Sequence, residues 1–330
     1  MYWKGRKGFV KLRYLLIVFV FIVGILALKS KLLTTRSSSL NAFVKESNMY
    51  SPNAILVDLE EGEILFEKNA DEKMYPASLT KMMTLLVALE EMENPEEKIK
   101  MPSNIYEYLY SENASIAGFK PNEIVPVQDL YYGMILPSGA ECCISIAEHI
   151  SESESKYVKK MNQKGKTIGM RNTHFTNTTG LHDNEHYSTV KDMAKLMQAG
   201  LKNQKFREVL TTKIHQTQGT EKHENGFEMK STLFEKLENM ESFGIEGGKT
   251  GYTDKAGLCL ATFAKVDGKE YILVTAGAAG SHQTEPYHIL DAQYVYRSIK
   301  NNFSEAHHFS VVESKLSAFI RKLKNLANEF

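Results

Sequence analysis

Pro76 opens the stretch that most constrains this chain. A proline lacks the N–H that a first helical turn leaves unpaired, and the run after it, Met82-Met83-Thr84-Leu85-Leu86-Val87-Ala88-Leu89, keeps apolar side chains on a 3.6-residue period. A buried helix therefore starts within Tyr75-Pro76-Ala77-Ser78-Leu79-Thr80-Lys81 and ends near Asn94-Pro95. Ser78 falls in its first turn. Lys81, three residues on, projects from the same face, so its amine can reach the Ser78 hydroxyl, and the helix N-terminus places partial positive charge beside a developing oxyanion. That is a nucleophile with its base beside it. The S-x-x-K spacing alone is weak evidence, since it recurs at Ser153 to Lys156 and Ser188 to Lys191, which read as surface and capping residues. The competing reading of Lys81 is a solvated lysine on a buried helix.

The rest of the chain supplies the frame. Strands are expected at Ala54–Asp58 and Ile64–Glu67 around Glu61-Gly62, and at Gly257–Val266 and Tyr271–Ala278 around Asp267-Gly268, with a helix over 291–299 covering the second pair. Between them lie helical patterns at 127–136, 142–150, 156–170 and 193–201, and a long Asn-, Thr-, His- and Gly-rich loop over 171–187. Thr189, with Asp192 three residues later, is a capping-box signature. Strands at both ends with helices between them predict an α/β (α+β) fold: an antiparallel sheet assembled from both chain ends, flanked by helices, with an all-helical lobe inserted and a cleft at the lobe boundary.

Charge and cysteine content exclude several classes. Forty basic residues balance forty acidic ones, so no nucleic-acid partner is signalled. Cys142, Cys143 and Cys259 have no ligand spacing and read as small buried hydrophobes. His174, His182 and His186 lie in the loop without a metal-binding helix motif, and hydrogen bonding within the loop is the reading preferred for them. The N-terminus carries an uncharged apolar run, Tyr14 to Leu28, flanked by Lys4, Arg6, Lys7, Lys11 and Arg13 before it and Lys29, Lys31 and Arg36 after it. It reads as an uncleaved signal anchor with the bulk of the chain exported, the rival being a cleaved signal peptide. The expected organisation is a basic segment and anchor at 1–33, a linker at 34–48, a domain at 49–303 and an amphipathic helix at 304–330, which could lie on a membrane surface or pack against the domain or a partner.

Two further groups carry chemistry. Ser138 sits at a helix start after Pro137, and Lys249-Thr250-Gly251 on a strand can hold a carboxylate, because the glycine admits ligand backbone while ammonium and hydroxyl converge on one anion. By itself the second group is equally an exposed edge strand. Together, Ser-Leu-Thr-Lys, Ser-Gly-Ala and Lys-Thr-Gly in this order resemble the serine D-alanyl-D-alanine carboxypeptidases, penicillin-binding proteins related to the serine β-lactamases. Leu136-Pro137-Ser138-Gly139, Asn177-Thr178-Thr179-Gly180-Leu181, His186-Tyr187-Ser188-Thr189 and Gly248-Lys249-Thr250-Gly251-Tyr252-Thr253 carry the likeness over about 53–278.

The resemblance implies a β-lactamase/D,D-peptidase-like fold, no cofactor, and trimming of peptidoglycan stem peptides ending in D-Ala-D-Ala outside a bacterial cell, with β-lactams as covalent inhibitors. Ser78 would form the acyl-enzyme and Lys81, its pKa lowered by burial and by Lys249, would accept the proton. Ser138 would relay a proton to the leaving D-alanine, Lys249 and Thr250 would hold its carboxylate, and the Ser78 and Tyr252 N–H groups would form the oxyanion hole beside Gly251. One departure stands out: the family's usual Asn two residues after Ser138 is Ala140 here, followed by Glu141. A lost amide contact of this kind costs about 1–3 kcal/mol, roughly ten- to a hundredfold in rate, although some relatives have an apolar residue there and remain active. Glu141 reads as an exposed or lobe-bridging carboxylate. The alternatives are a penicillin-binding, wall-sensing relative that turns over poorly, and a β-lactamase, the latter disfavoured because no Glu-bearing loop stands at a suitable spacing before Lys249.

Overall fold

The computed structural model describes residues 44–301. In chain order come β1 (Asn53–Asp58), β2 (Ile64–Lys68), a 3₁₀ turn Ala77–Leu79 leading into α1 (Thr80–Glu91), β3 (Lys98–Lys100), α2 (Tyr106–Ser111), β4 (Ile124–Pro126), α3 (Val127–Ile135), α4 (Ala140–Ser151) and α5 (Glu154–Thr167). Then follow α6 (Val190–Gly200), α7 (Gln204–Thr211), β5 (Ile214–Gln216), β6 (Glu228–Lys230), α8 (Thr232–Leu237), β7 (Ile245–Thr253), β8 (Gly257–Val266) and β9 (Lys269–Ala278). A last helix, α9, covers 287–301.

The main sheet runs β2-β1-β9-β8-β7 with every pair antiparallel, so the first and last strands of the chain meet at its centre, where Ile55 pairs with Val274. The period of two along these strands divides their side chains between two cores. Ile55, Val57, Ile272, Val274 and Phe263 join the helices on one face; Ala54, Leu56, Tyr271, Leu273 and Leu260 join Ile289, Val295, Tyr296 and Ile299 of α9 on the other. The antiparallel sheet from both ends, with helices inserted between, is as predicted, but the insertion is not all-helical: β3 pairs with β4 and β5 with β6 in two small antiparallel sheets. The lobe, α1 to α8, is inserted between β2 and β7.

Helix ends follow the predicted capping in part. The Thr189 hydroxyl accepts from the Asp192 N–H, but the Asp192 carboxylate turns away to the Asn172 N–H and Thr173 hydroxyl instead of closing the box. Ser153 caps α5, whereas Ser188, expected as a surface or capping residue, is buried against the Thr173 hydroxyl. The end of the expected linker packs onto the body: Val44 is buried, Glu46–Asn48 form a 3₁₀ turn, and the Lys45 N–H donates to Tyr294 Oη. The apolar run at 14–28 and the amphipathic run beyond 304 lie outside the described residues. Among the described residues no helix is long and apolar enough to cross a membrane.

Candidate active site

Three backbone segments converge on Ser78. Ala77 adopts a left-handed conformation (φ 46°), which turns the chain sharply into α1, and loop and strand close around it. A Cβ on Gly180 (φ +82°) would stand 1.8 Å from the Ala77 carbonyl oxygen, so only glycine fits there. A Cβ on Gly251 would stand 3.1 Å from the Ser78 nitrogen, which brings edge strand β7 directly against the nucleophile's own N–H.

Lys81 is buried on α1, and its Nζ donates to Ser78 Oγ at 3.0 Å and to the Thr179 carbonyl at 2.7 Å. The second contact fixes the amine without neutralising it. Thr179 is fixed in turn, because the Asn177 side-chain oxygen accepts from the Thr179 and Gly180 N–H groups and the Thr84 hydroxyl donates to the Thr178 carbonyl. Burial draws Lys81 below the ordinary lysine range, opposed by nearby Cys143 and Glu141. Lys249 on β7 is as deeply buried, donates to the Thr250 carbonyl at 2.9 Å, and is drawn well below that range by burial and by the Lys81 ammonium. Burial is thus the largest cause for both lysines, as the sequence suggested; the like charge adds to it at Lys249 but is not among the causes at Lys81. The Thr250 hydroxyl meets the Thr232 hydroxyl at 2.7 Å.

Ser138 also has a left-handed backbone (φ 66°), and its buried Oγ has no hydrogen-bond partner among the described residues. Strain and an idle polar atom together mark a position shaped for something other than stability. Ser78 stands between two chambers of one cleft. One, of about 330 Å³, includes Ser138, Thr250, Gly251 and Tyr252; the other, of about 450 Å³, includes Lys81, Ala140, Thr179, Gly180 and Tyr252. The seven residues singled out in the sequence are therefore brought together: all but Lys249 line the cleft, and Lys249 lies buried on the strand beneath it.

A family model described as D-alanyl-D-alanine carboxypeptidase, peptidase S11, matches residues 41–280. This chain belongs to that family. It is 34% identical to the D-alanyl-D-alanine carboxypeptidase DacF of Bacillus subtilis over 69% of this chain and 57% of that protein. It is 32% identical to DacA of Escherichia coli over 64% of this chain and 52% of that one. The crystal structure of the Streptomyces K15 DD-transpeptidase superposes with a TM-score of 0.71 at 27% identity, covering 77% of this chain and 98% of that one. The chain thus spans little more than half the length of the curated relatives it matches first.

Within this S11 domain, Glu141 corrects the sequence reading. It is fully buried, not exposed: Oε1 accepts from the Ala117 and Gly118 N–H groups at 2.7 and 3.0 Å, and burial pushes the carboxyl up to about 7. It ties the segment bearing Ser115, which borders both chambers, to the start of α4. The only sequence signal for it was its place beside Ala140 in a first helical turn. His186 makes the hydrogen bond within the loop that was expected and adds a partner outside it. It is buried behind α1, meets Thr80 Oγ1 at 2.7 Å and accepts from the Thr176 N–H at Nδ1. His174 bonds the Glu185 carbonyl through Nδ1, and His182 stands edge-on to Tyr75. The three cysteines are free and buried.

Proposed function

We propose that this protein is a serine D-alanyl-D-alanine carboxypeptidase acting on peptidoglycan stem peptides outside the cytoplasmic membrane. The observation that carries the reading is the buried Lys81 amine, 3.0 Å from Ser78 Oγ and fixed by the Thr179 carbonyl. A lysine drawn down by burial is a competent base nearer neutral pH, and the bond is already in place for the proton to move. Ser78 Oγ attacks the carbonyl between the two terminal D-alanines while Lys81 takes its proton. The Ser78 and Tyr252 N–H groups receive the developing oxyanion. Ser138 relays a proton to the leaving D-alanine nitrogen, whose carboxylate rests on Lys249 and Thr250. Water then releases the acyl group from Ser78. β-Lactams acylate the same hydroxyl and block it. The basic residues flanking 14–28 support a single membrane anchor with the catalytic domain exported.

The test combines a fluorescent penicillin, followed by mass, with time-resolved release of D-alanine from a D-Ala-D-Ala peptide. The expected result is a single adduct and D-alanine release, both lost in Ser78→Ala by about a thousandfold or more. Absence of any adduct sinks the assignment of Ser78. Adduct without release to water, but with transfer to an added amine, favours a transpeptidase, the activity named for the Streptomyces structure.

A further inference from the structure

Acyl chemistry at Ser78, as set out above, leaves unused a carboxylate buried beside the cleft. Glu141, in the first turn of α4, holds the Ala117 and Gly118 N–H groups on Oε1, whereas its buried Oε2 has no hydrogen-bond partner among the described residues. A buried carboxylate with one oxygen idle is costly to keep for stability alone. The segment it holds is tied from a second side, since the Ala140 N–H donates to the Ser115 carbonyl at 2.8 Å. A Cβ on Gly139 would stand 2.7 Å from the Ala117 Cβ and 2.9 Å from Glu141 Oε2, so segment, carboxylate and the turn at Ser138 are in direct contact. Ser115 lines both chambers, as Ser78 does. The charge of Glu141 also bears on Lys81, together with the Cys143 and Cys142 thiols of the same helix. Burial pushes both thiols up, Cys143 to about 12, so Glu141 is the anion of the three near neutral pH. Lys81 is also within electrostatic reach of Lys249 on β7 and His186 in the loop, both held below their ordinary ranges by burial, and Glu141 is within reach of the Tyr106 phenol of α2, which burial pushes up.

We propose that Glu141 is a positioning residue of the acylation step: its carboxylate clamps the Ser115 segment against the Ser138 turn and stands as the buried counter-charge to the ammonium that Lys81 becomes on taking the Ser78 proton. The inference rests on the carboxypeptidase reading above and extends it to a residue outside the motifs that carry the chemistry. In that step the Ser78 Oγ–H bond breaks, its proton passes to Lys81 Nζ, and Oγ bonds to the substrate carbonyl carbon, so a neutral amine turns into a cation at a buried position. Such a cation is costly unless an anion answers it. Nζ itself is taken up by the Ser78 hydroxyl and the Thr179 carbonyl, so the anion acts through space. The same anion strengthens the hold of Lys81 on its proton before the reaction, which makes the amine a stronger base but one that is free only at higher pH. Burial pushes the Glu141 carboxyl up to about 7, so the effect belongs to neutral and alkaline solution, where that group is charged.

The test is the pH dependence of acylation of the full chain in detergent by a fluorescent penicillin, the parent against Glu141→Gln and Glu141→Asp. Glutamine keeps the size and an oxygen for the Ala117 and Gly118 N–H groups but carries no charge. Its maximal rate should fall about tenfold, and the pH of half-maximal rate should move down by about one pH unit, so that the two profiles converge on the acid side. Aspartate keeps the charge but draws it back from the N–H groups: its maximal rate should fall while the half-maximal pH stays with the parent's. A Glu141→Gln profile scaled down without moving, or a Glu141→Asp profile that moves as far as the glutamine one, overturns the proposal and leaves Glu141 a clamp alone. Where glutamine is not accepted at the site, aspartate decides. The two readings fail separately. Release of D-alanine by the parent with an unmoved Glu141→Gln profile removes the counter-charge only, whereas a moved profile without release removes the carboxypeptidase reading and leaves Glu141 as counter-charge to an acylating Ser78–Lys81 pair; no acylation of the parent at any pH overturns both.

Discussion

Ser78 and Ser138 face the same cleft, and each sits at a left-handed kink, yet they are held in opposite ways. Ser78 follows the kink at Ala77 and its hydroxyl is already bonded to Lys81, which the Thr179 carbonyl fixes from behind. Ser138 is itself the kinked residue, and its buried hydroxyl is idle. The difference lies in where each partner comes from. Lys81 is supplied by the next turn of the same helix, so forming α1 forms the pair. Ser138 depends on groups brought by other elements, and at the position two residues on, where the family's amide would stand, this chain has Ala140, buried and lining the cleft beside Lys81. One corner is complete before substrate arrives; the other is completed by it.

Removing the wired partner should therefore do the most damage. Lys81→Met keeps the length of the stem and deletes the base, and the acylation rate by penicillin should fall by about a thousandfold, within the range for general-base catalysis. A loss under tenfold would show that another group takes the Ser78 proton. The idle corner should give less. Ser138→Ala should lower kcat for D-alanine release by roughly a hundredfold while leaving the melting temperature nearly unchanged, since its hydroxyl makes no bond to lose. The opposite experiment, Ala140→Asn, should raise acylation about tenfold, the worth of one added hydrogen bond in a buried site. If Ala140→Asn instead slows acylation, the corner is already complete without an amide and the contrast between the two serines disappears.

The contrast also explains what the sequence could show. The pair on α1 was legible because it is local: a proline, a helical period and a three-residue spacing define it. The sheet was legible for a similar reason, since near-continuous apolar runs along Gly257–Val266 and Tyr271–Ala278 mark strands buried on both faces, and the Asp267-Gly268 turn sets their register. The motifs at Ser138 and Lys249 were joined to Ser78 only by family resemblance, because contacts between residues far apart in the chain, such as that of Lys81 with Thr179, 98 positions on, leave no spacing to read. Glu141 was noticed, but its burial was not legible. A carboxylate in a first helical turn ordinarily faces solvent beside the helix dipole, and nothing local shows that the Ala117 and Gly118 N–H groups will fold over it. For His186 the hydrogen bond within the loop was expected and is present, but its reach to Thr80 on α1 was not legible, one imidazole among several in a polar loop.

His186 gives the smallest effect and the finest test of how the wired corner is backed. Its Nδ1 accepts from the Thr176 N–H, so the ring proton is on Nε2 and is donated to Thr80 Oγ1, beside the helix that presents Ser78 and Lys81. Burial pulls its pKa down to about 4 from an ordinary 6.5, because a second proton would both charge a buried ring and abolish the bond from Thr176. Between those values the unfolded chain binds a proton that the folded chain refuses. Stability from this group is therefore fully present above about 6.5 and is lost as pH falls toward 4. His288, pulled down to about 3 mainly by burial, acts in the same sense, whereas Glu141, pushed up to about 7, favours the folded state as pH falls from 7 toward 4.5. The raw pH profile mixes these with other shifted groups such as His282, so the informative quantity is the difference between the parent and His186→Gln, which keeps a donor for Thr80 but cannot take up a proton. Thermal unfolding followed from pH 7 to pH 4 should show the parent losing more stability than the variant, by an amount on the order of 1–3 kcal/mol. Penicillin acylation at pH 5 should fall less in the variant as well, since the loop holding Thr179 then stays in place behind Lys81. Parallel curves would mean that His186 packs behind α1 without titrating, and that the wired corner does not depend on its charge state.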